Sequence, residues 1–388
     1  MKINKYLYNL DNKNSFSSVS DLVNDYKKNN PNVKVLSLGV GDVSRPIVKP
    51  IIEEMHRAID DLSDIRTFKG YGFSNGHNFL KEKILENEYS KFNFSLDEIY
   101  ISNGTKSDST NILELFDINS RILVSDPLYP IYKDGASCLS RNVFFTETND
   151  SFVPIIPNEK YDVIYLCSPN NPTGVCYTFG ELKKWIDYAL ENNAVIIYDN
   201  VYSSFITSKD VPHSIYEADG ARKVAIELRS FSKNASFTGV RCSYYIIPNE
   251  IYDGVNKLWH LRTINRFNGS DYIAQRGAYA SFSKESKKLI KENINYYLEN
   301  AKILKTCFKE LGFTLYGGID SPFIWVKIKD NIASMDYFKL LLEELNIVVI
   351  PGIIFGKKAD NYFRVSALAN REVIEEAIGR LRNYYEKK

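Results

Sequence analysis

The sequence predicts an α/β chain: a largely parallel sheet covered by helices on both faces, followed by a smaller α+β part. Three observations predict it. The chain has 388 residues, more than the roughly 250–300 at which a single core stops growing. Short, nearly continuous apolar runs recur through its middle, with helical patterns between several of them. Toward the C-terminus the pattern changes to long helices and separate strands.

The runs are "IYIS" at 99–102, "RILVS" at 121–125, "DVIYLCS" at 162–168, "AVIIYD" at 194–199, "KVAIEL" at 223–228 and "SYYII" at 243–247. Runs apolar on both faces, alternating with amphipathic helices such as "FGELKKWIDYALENN" at 179–193, indicate a sheet buried on each side. Beyond it, "KESKKLIKENINYYLENAKILKTCFKELGF" reads as a long helix. "PFIWVKI" and "YFRVSAL" read as strands. In the closing segment Val373, Ile374, Ala377, Ile378 and Leu381 share one helical face.

Hydrophobic residues make up 44 % and charged residues 25 % of the chain, with a net charge of +1. These values give no case for a nucleic-acid or membrane-surface partner. Five scattered cysteines, Cys138, Cys167, Cys176, Cys242 and Cys307, form no CxxC pair. They fit a reducing cytoplasm better than a disulfide framework or a zinc site. The N-terminal segment lacks the apolar core of a signal peptide, and no run of 18 apolar residues predicts a membrane span. His56, His77, His213 and His260 show no metal-ligand spacing; His213, in "PHSIYE", reads as a loop or packing residue.

In open parallel sheets ligands bind beyond the carboxyl ends of the strands. Five strand ends carry polar or aromatic groups. "YLCS" runs into "PNNPTG", "AVIIY" ends in Asp199 with Tyr202 three residues on, and "KVAIEL" runs into "RSFSK". "IYIS" runs into "NGTKSDST", and "RILVS" into "DPLYP". Asp199 is either a cap or ion-pair residue, or a carboxylate that keeps a heterocyclic nitrogen protonated. Lys233 is either a solvated charge or a Schiff-base lysine, which needs an aldehyde cofactor. With the second reading, Ser230, Ser232 and Arg241 become anchors for an anion, since the arginine fork suits phosphate. The helical pattern after Gly104 is either simply capped or an anion site at a helix N-terminus. Tyr129 is either a core tyrosine or a stacking platform.

The order "PNNPTG", "YDNVY", "SFSKNASFTGVR", "YFRVSA" resembles the signature set of fold-type I aminotransferases, which use pyridoxal 5′-phosphate. Within them the chain resembles the LL-diaminopimelate aminotransferase group, through "LSLGVGDVSRP", "FKGYGFSNG", "SNGTKSD", "DPLYPIY", "RFNGSDYIAQ" and "YFRVSALANRE". The resemblance implies a seven-stranded, mostly parallel sheet. It places the N-terminal arm and part of the small domain in 1–44, the large cofactor-binding domain in 45–275 and the small C-terminal domain in 276–388. Lys233 would bond covalently to the cofactor aldehyde and later act as the base. Asp199 would hold the ring nitrogen protonated, Asn171 and Tyr202 would reach the ring hydroxyl, and Tyr129 would stack on the ring. Thr105, Lys106, Ser230, Ser232 and Arg241 would surround the phosphate. Tyr71 would reach it from a second subunit, which implies a homodimer with shared sites. Arg364 would clamp the substrate α-carboxylate and Gly41 would bring backbone close to the substrate. For the distal end of diaminopimelate, Lys106 and Tyr129 would meet a carboxylate and Asn268 would lie near the amino group.

Two positions depart from that group. Asn14 stands where a tyrosine is expected, and Ser74 where an acidic residue is expected. A lost carboxylate–ammonium bond, about 1.5–3 kcal/mol, lowers preference for a distal ammonium by ~10–100-fold. A different amino-acid substrate is therefore the alternative, as is a lyase on the same fold. Other classes fit worse. "GVGD" lacks the third glycine of a dinucleotide fingerprint, and "NGTKS" lacks P-loop spacing. A non-catalytic scaffold has no use for the lysine, aspartate and arginine set.

Overall fold

The computed structural model describes residues 3–10, 15–39, 41–252 and 254–386. Strand β1 (Leu36–Ser37) belongs with the C-terminal part. The central sheet holds β2 (Ile99–Ser102), β3 (Ile122–Ser125), β4 (Val143–Thr146), β5 (Val163–Cys167), β6 (Val195–Asp199), β7 (Ala225–Ser230) and β8 (Ser243–Ile246). Their order is β2-β8-β7-β6-β5-β3-β4. β8 runs antiparallel to both neighbours, and the other pairings are parallel. The apolar runs foretold six of these strands. The seventh, β4, stands at one edge of the sheet; two of its four residues, Phe144 and Phe145, are exposed, so it carries no continuous buried run.

Successive residues of the strands feed opposite cores, as the two-residue pleat requires. Ile164, Leu166, Ile196 and Tyr198 pack with Leu182, Trp185 and Ile186 of the helix Phe179–Asn192 on one face. Val163, Tyr165, Val195 and Ile197 pack with Ile112, Leu113 and Trp259 on the other. The Phe179–Asn192 helix starts at a capping box between Thr178 and Glu181 and stops at Asn193, which takes the left-handed conformation.

A second core gathers Val19, Leu36 and Leu38 with Leu304, Trp325, Phe338, Phe363, Val365, Ile374 and Ala377. Its sheet is built from β9 (Leu315–Gly317), β10 (Phe323–Lys327), β12 (Ile350–Pro351) and β13 (Tyr362–Ser366), with β11 (Ile347–Val348) pairing in parallel with β1. That pairing carries the segment after β1 to the carboxyl ends of the central strands. Several contacts join the sheets there, among them two around Asp320 and Gly174. The Asp320 carboxylate accepts from Thr207 N at 2.6 Å and Ser208 Oγ at 2.6 Å. Gly174, at the end of "PNNPTG", lies so close to Phe323 that a Cβ would meet its carbonyl oxygen at 2.2 Å.

Candidate active site

A cavity of about 680 Å³ opens where the central strands end against β1, β12 and β13. Each wall is set by a local feature of the sequence.

Asp199 is the last residue of β6, so the strand delivers its carboxyl to the cavity floor. It is buried, and Tyr132 Oη donates to its Oδ2 at 2.7 Å. The other oxygen, Oδ1, receives a long bond from Val201 N at 3.4 Å. No ion pair reaches it among the described residues, and burial pushes its pKa up to about 6. A carboxylate so placed lacks a cation.

Ser230 ends β7 and caps the short helix Phe231–Asn234 that carries Lys233. Ser230 Oγ accepts from Ser232 N at 3.0 Å, and Ser232 Oγ accepts from Arg241 Nη1 at 3.2 Å. Lys233 Nζ donates to the Gly41 carbonyl. Burial and the nearby Arg364 and Arg241 lower the lysine's pKa to about 8, against the opposing pull of Asp42. An amine of that pKa is partly neutral near pH 7 and able to attack a carbonyl.

Arg241 closes the anion corner with Thr105, the first residue of the helix Thr105–Asn111. Gly104 makes the corner possible. Its φ is +149°, and a Cβ on it would meet Arg241 Nη2 at 2.1 Å. The loop therefore brings bare backbone against the guanidinium, a cradle that any side chain would fill.

Arg364 comes from β13 on the opposite wall and is 2 % exposed. Its Nη1 donates to Asn171 Oδ1 at 2.6 Å and its Nη2 to the Gly39 carbonyl at 2.8 Å. Its Nε is buried without a partner, and no carboxylate pairs with it among the described residues. Burial lowers its pKa to about 10, so it remains a cation at neutral pH. The ring of Phe323 lies 4.4 Å from the guanidinium carbon. Arg364 thus ties Asn171, which lines the cavity, to the β13 wall.

The cavity thus brings together Gly41, Thr105, Lys106, Tyr129, Asn171, Asp199, Tyr202, Ser230, Ser232, Lys233, Arg241 and Arg364, all foreseen in the sequence. Tyr202 packs edge-on against Phe323, with centroids 5.0 Å apart. Lys106 sits at the exposed rim. Tyr71, expected to serve a second subunit's site, and Asn268 and Ser74 do not line this cavity. Tyr71 is 91 % exposed, Asn268 is exposed, and Ser74 sits beside them in a half-buried loop. The two segments touch, since a Cβ on Gly269 would meet Phe73 O at 2.6 Å. Asn14 lies outside the described residues.

Tyr132, Asp42 and Cys167 also line the cavity and were not anticipated. Tyr132 lies in the first turn of the helix Ile131–Cys138, and its ring meets that of Tyr129 edge-on. Asp42 directly follows Gly41 in "GVGD".

An amine flanked by an unpaired buried acid, an unpaired buried guanidinium and an anion cradle defines an enzyme of amino-group chemistry. Residues 33–381 match the family described as aminotransferase class I and II. The LL-diaminopimelate aminotransferase of Methanosphaera stadtmanae is 41% identical over 405 aligned positions, covering 98% of each chain. That of Agathobacter rectalis is 42% identical, covering 95% of this chain and 96% of its own. The structure of L,L-diaminopimelate aminotransferase from Chlamydomonas reinhardtii superposes with a TM-score of 0.94 at 34% identity, covering 99% of each chain. The chain belongs to the class I and II aminotransferases and has their fold-type I architecture.

Proposed function

We propose that the chain moves an amino group from LL-diaminopimelate to 2-oxoglutarate, using pyridoxal 5′-phosphate held on Lys233. The observation that carries this reading is the pair of buried charges without a counter-ion among the described residues, Asp199 and Arg364, lining one cavity with the Lys233 amine. The residues fit the cofactor. Asp199 supplies the anion that a protonated ring nitrogen needs, and Gly104, Thr105, Ser230, Ser232 and Arg241 supply the cradle for its phosphate. When bound, the cofactor supplies an electron sink for the carbanion formed at the substrate Cα. The chain's own groups do the rest. Arg364 binds the α-carboxylate and fixes the substrate's orientation. Lys233, with its lowered pKa, takes the proton from Cα near neutral pH. Asn171 and Tyr202 would hold the ring hydroxyl.

The exposed Tyr71 and its apolar neighbours Ile65 and Phe68 support a homodimer in which this loop completes the partner's phosphate site. Asn268, touching the same loop, would serve the partner's cavity rather than its own. Residues 1–44 are read as the N-terminal arm and part of the small domain, 45–275 as the large domain and 276–388 as the small C-terminal domain. Among the described residues no helix is long and apolar enough to cross a membrane; a cytoplasmic setting accords with five free cysteines.

The test is kcat/KM for LL-diaminopimelate, glutamate, lysine and aromatic amino acids, each with 2-oxoglutarate. Diaminopimelate leading by about a hundredfold supports the assignment. Ser74 favours a second reading, in which the distal ammonium is weakly read and glutamate or another amino acid leads. Release of ammonia without amino transfer would turn the assignment to a lyase.

A further inference from the structure

We infer that Tyr132 is a positioning residue: its hydroxyl fixes one oxygen of Asp199 so that the other is presented to the protonated ring nitrogen of the cofactor. This rests on the cofactor reading above.

The geometry is specific. Tyr132 Oη donates to Asp199 Oδ2 at 2.7 Å, with both residues buried. The remaining oxygen has only the long bond from Val201 N. The tyrosine itself is held on two sides. Its ring stacks on Tyr165 at 4.8 Å and 18°, and meets Tyr129 edge-on at 5.8 Å and 88°. Tyr165 Oη donates in turn to the Ser109 carbonyl at 2.5 Å, in the helix that begins at the anion cradle. One chain of contacts therefore runs from the phosphate corner to the acid.

The surroundings make the hydroxyl matter. The titratable groups around Asp199 are Tyr129, Tyr132, Tyr165, Tyr202 and Cys167, all kept neutral by burial. Among the described residues no cation helps to keep the carboxyl ionised, and the Tyr132 hydrogen bond is the main contact that favours the charged form. Without it, Asp199 would take up a proton more readily and would be free to rotate. A neutral or misdirected carboxyl would no longer hold the ring proton.

The experiment loads wild type, Tyr132→Phe and Tyr165→Phe with cofactor labelled with ¹⁵N at the ring nitrogen and records its resonance from pH 6 to 9, without substrate. Wild type and Tyr165→Phe should show the protonated-ring position throughout. Tyr132→Phe should move toward the unprotonated position, with its apparent pKa lower by about one to two units. Its kcat should fall about tenfold or more while KM changes less than about twofold, because Arg364 is untouched. Circular dichroism checks the fold of each variant, and Tyr132→His, which returns a donor, should recover part of the shift. An unchanged resonance in Tyr132→Phe overturns the inference. So does an equal shift in Tyr165→Phe, which would mean packing alone. A wild type that never holds the cofactor, or holds it unprotonated, overturns instead the cofactor reading on which the inference stands.

Discussion

Asp199 and Arg364 are the two walls of one cavity, and they are buried for opposite purposes. Asp199 ends a parallel strand of the central sheet; Arg364 sits in the middle of an antiparallel strand of the C-terminal sheet. Each is a desolvated charge without a counter-ion among the described residues, and neither pairs with the other. Isolated buried charges cost several kcal/mol, so a fold keeps them only where a ligand completes them. The walls differ in how much the protein compensates. Arg364 makes two hydrogen bonds and lies against three aromatic rings. Asp199 leans on one tyrosine hydroxyl, with a long backbone contact besides. The small-sheet wall is thus prepared for a substrate that comes and goes. The central-sheet wall is left to be neutralised by a cofactor that stays.

The comparison can be broken most forcefully at Arg364. Arg364→Ala should lower kcat/KM about a hundredfold to a thousandfold, by removing one partner of a buried charge pair, while cofactor affinity stays within about threefold. Equal losses of both, measured by steady-state kinetics and cofactor titration, would show that the walls are not separate.

A smaller effect sharpens the other wall. Asp199 has a folded pKa of about 6 against an ordinary value of 3.8. The cofactor-free protein therefore binds its proton more tightly folded than unfolded. Stability falls as pH rises from about 4 to about 6, and the penalty, at most on the order of 3 kcal/mol, persists above that range. Asp199→Asn should raise the melting temperature of the cofactor-free protein at pH 8 and leave it unchanged at pH 4. A rise at both values would assign the gain to packing instead.

The smallest expected effect concerns the Lys233 amine. With its pKa lowered to about 8, Lys233 should react with added pyridoxal 5′-phosphate at a rate that rises with pH and levels above about 8. A rise continuing toward the ordinary lysine value would show that the amine is solvated.

Much of this site was legible because parallel strands end together. Asp199, Asn171 and the "RSFSK" segment stand just past apolar runs, so topology alone converges them. Arg364 was harder: a charge inside "YFRVSAL" reads as a strand anomaly, and its role came from the resemblance. Tyr132 was invisible because a tyrosine after "DPLYP" is normally core, and only the 2.7 Å bond to Asp199 separates it from one. Tyr71 and Asn268 show the opposite limit. Asn268 was read as a site residue, yet it stands outside the cavity of its own chain; Tyr71, expected to serve a second subunit's site, stands outside it too. The edge strand β4 escaped for a simpler reason, its half-exposed pattern.

The most direct measurement is reduction of the cofactor-loaded protein with borohydride, followed by proteolysis and mass mapping. The account predicts one reduced pyridoxyl phosphate per chain, on Lys233, and none on a Lys233→Ala variant that also loses activity by about 10⁴-fold or more. Label on another lysine, or full activity without the Lys233 amine, would contradict it.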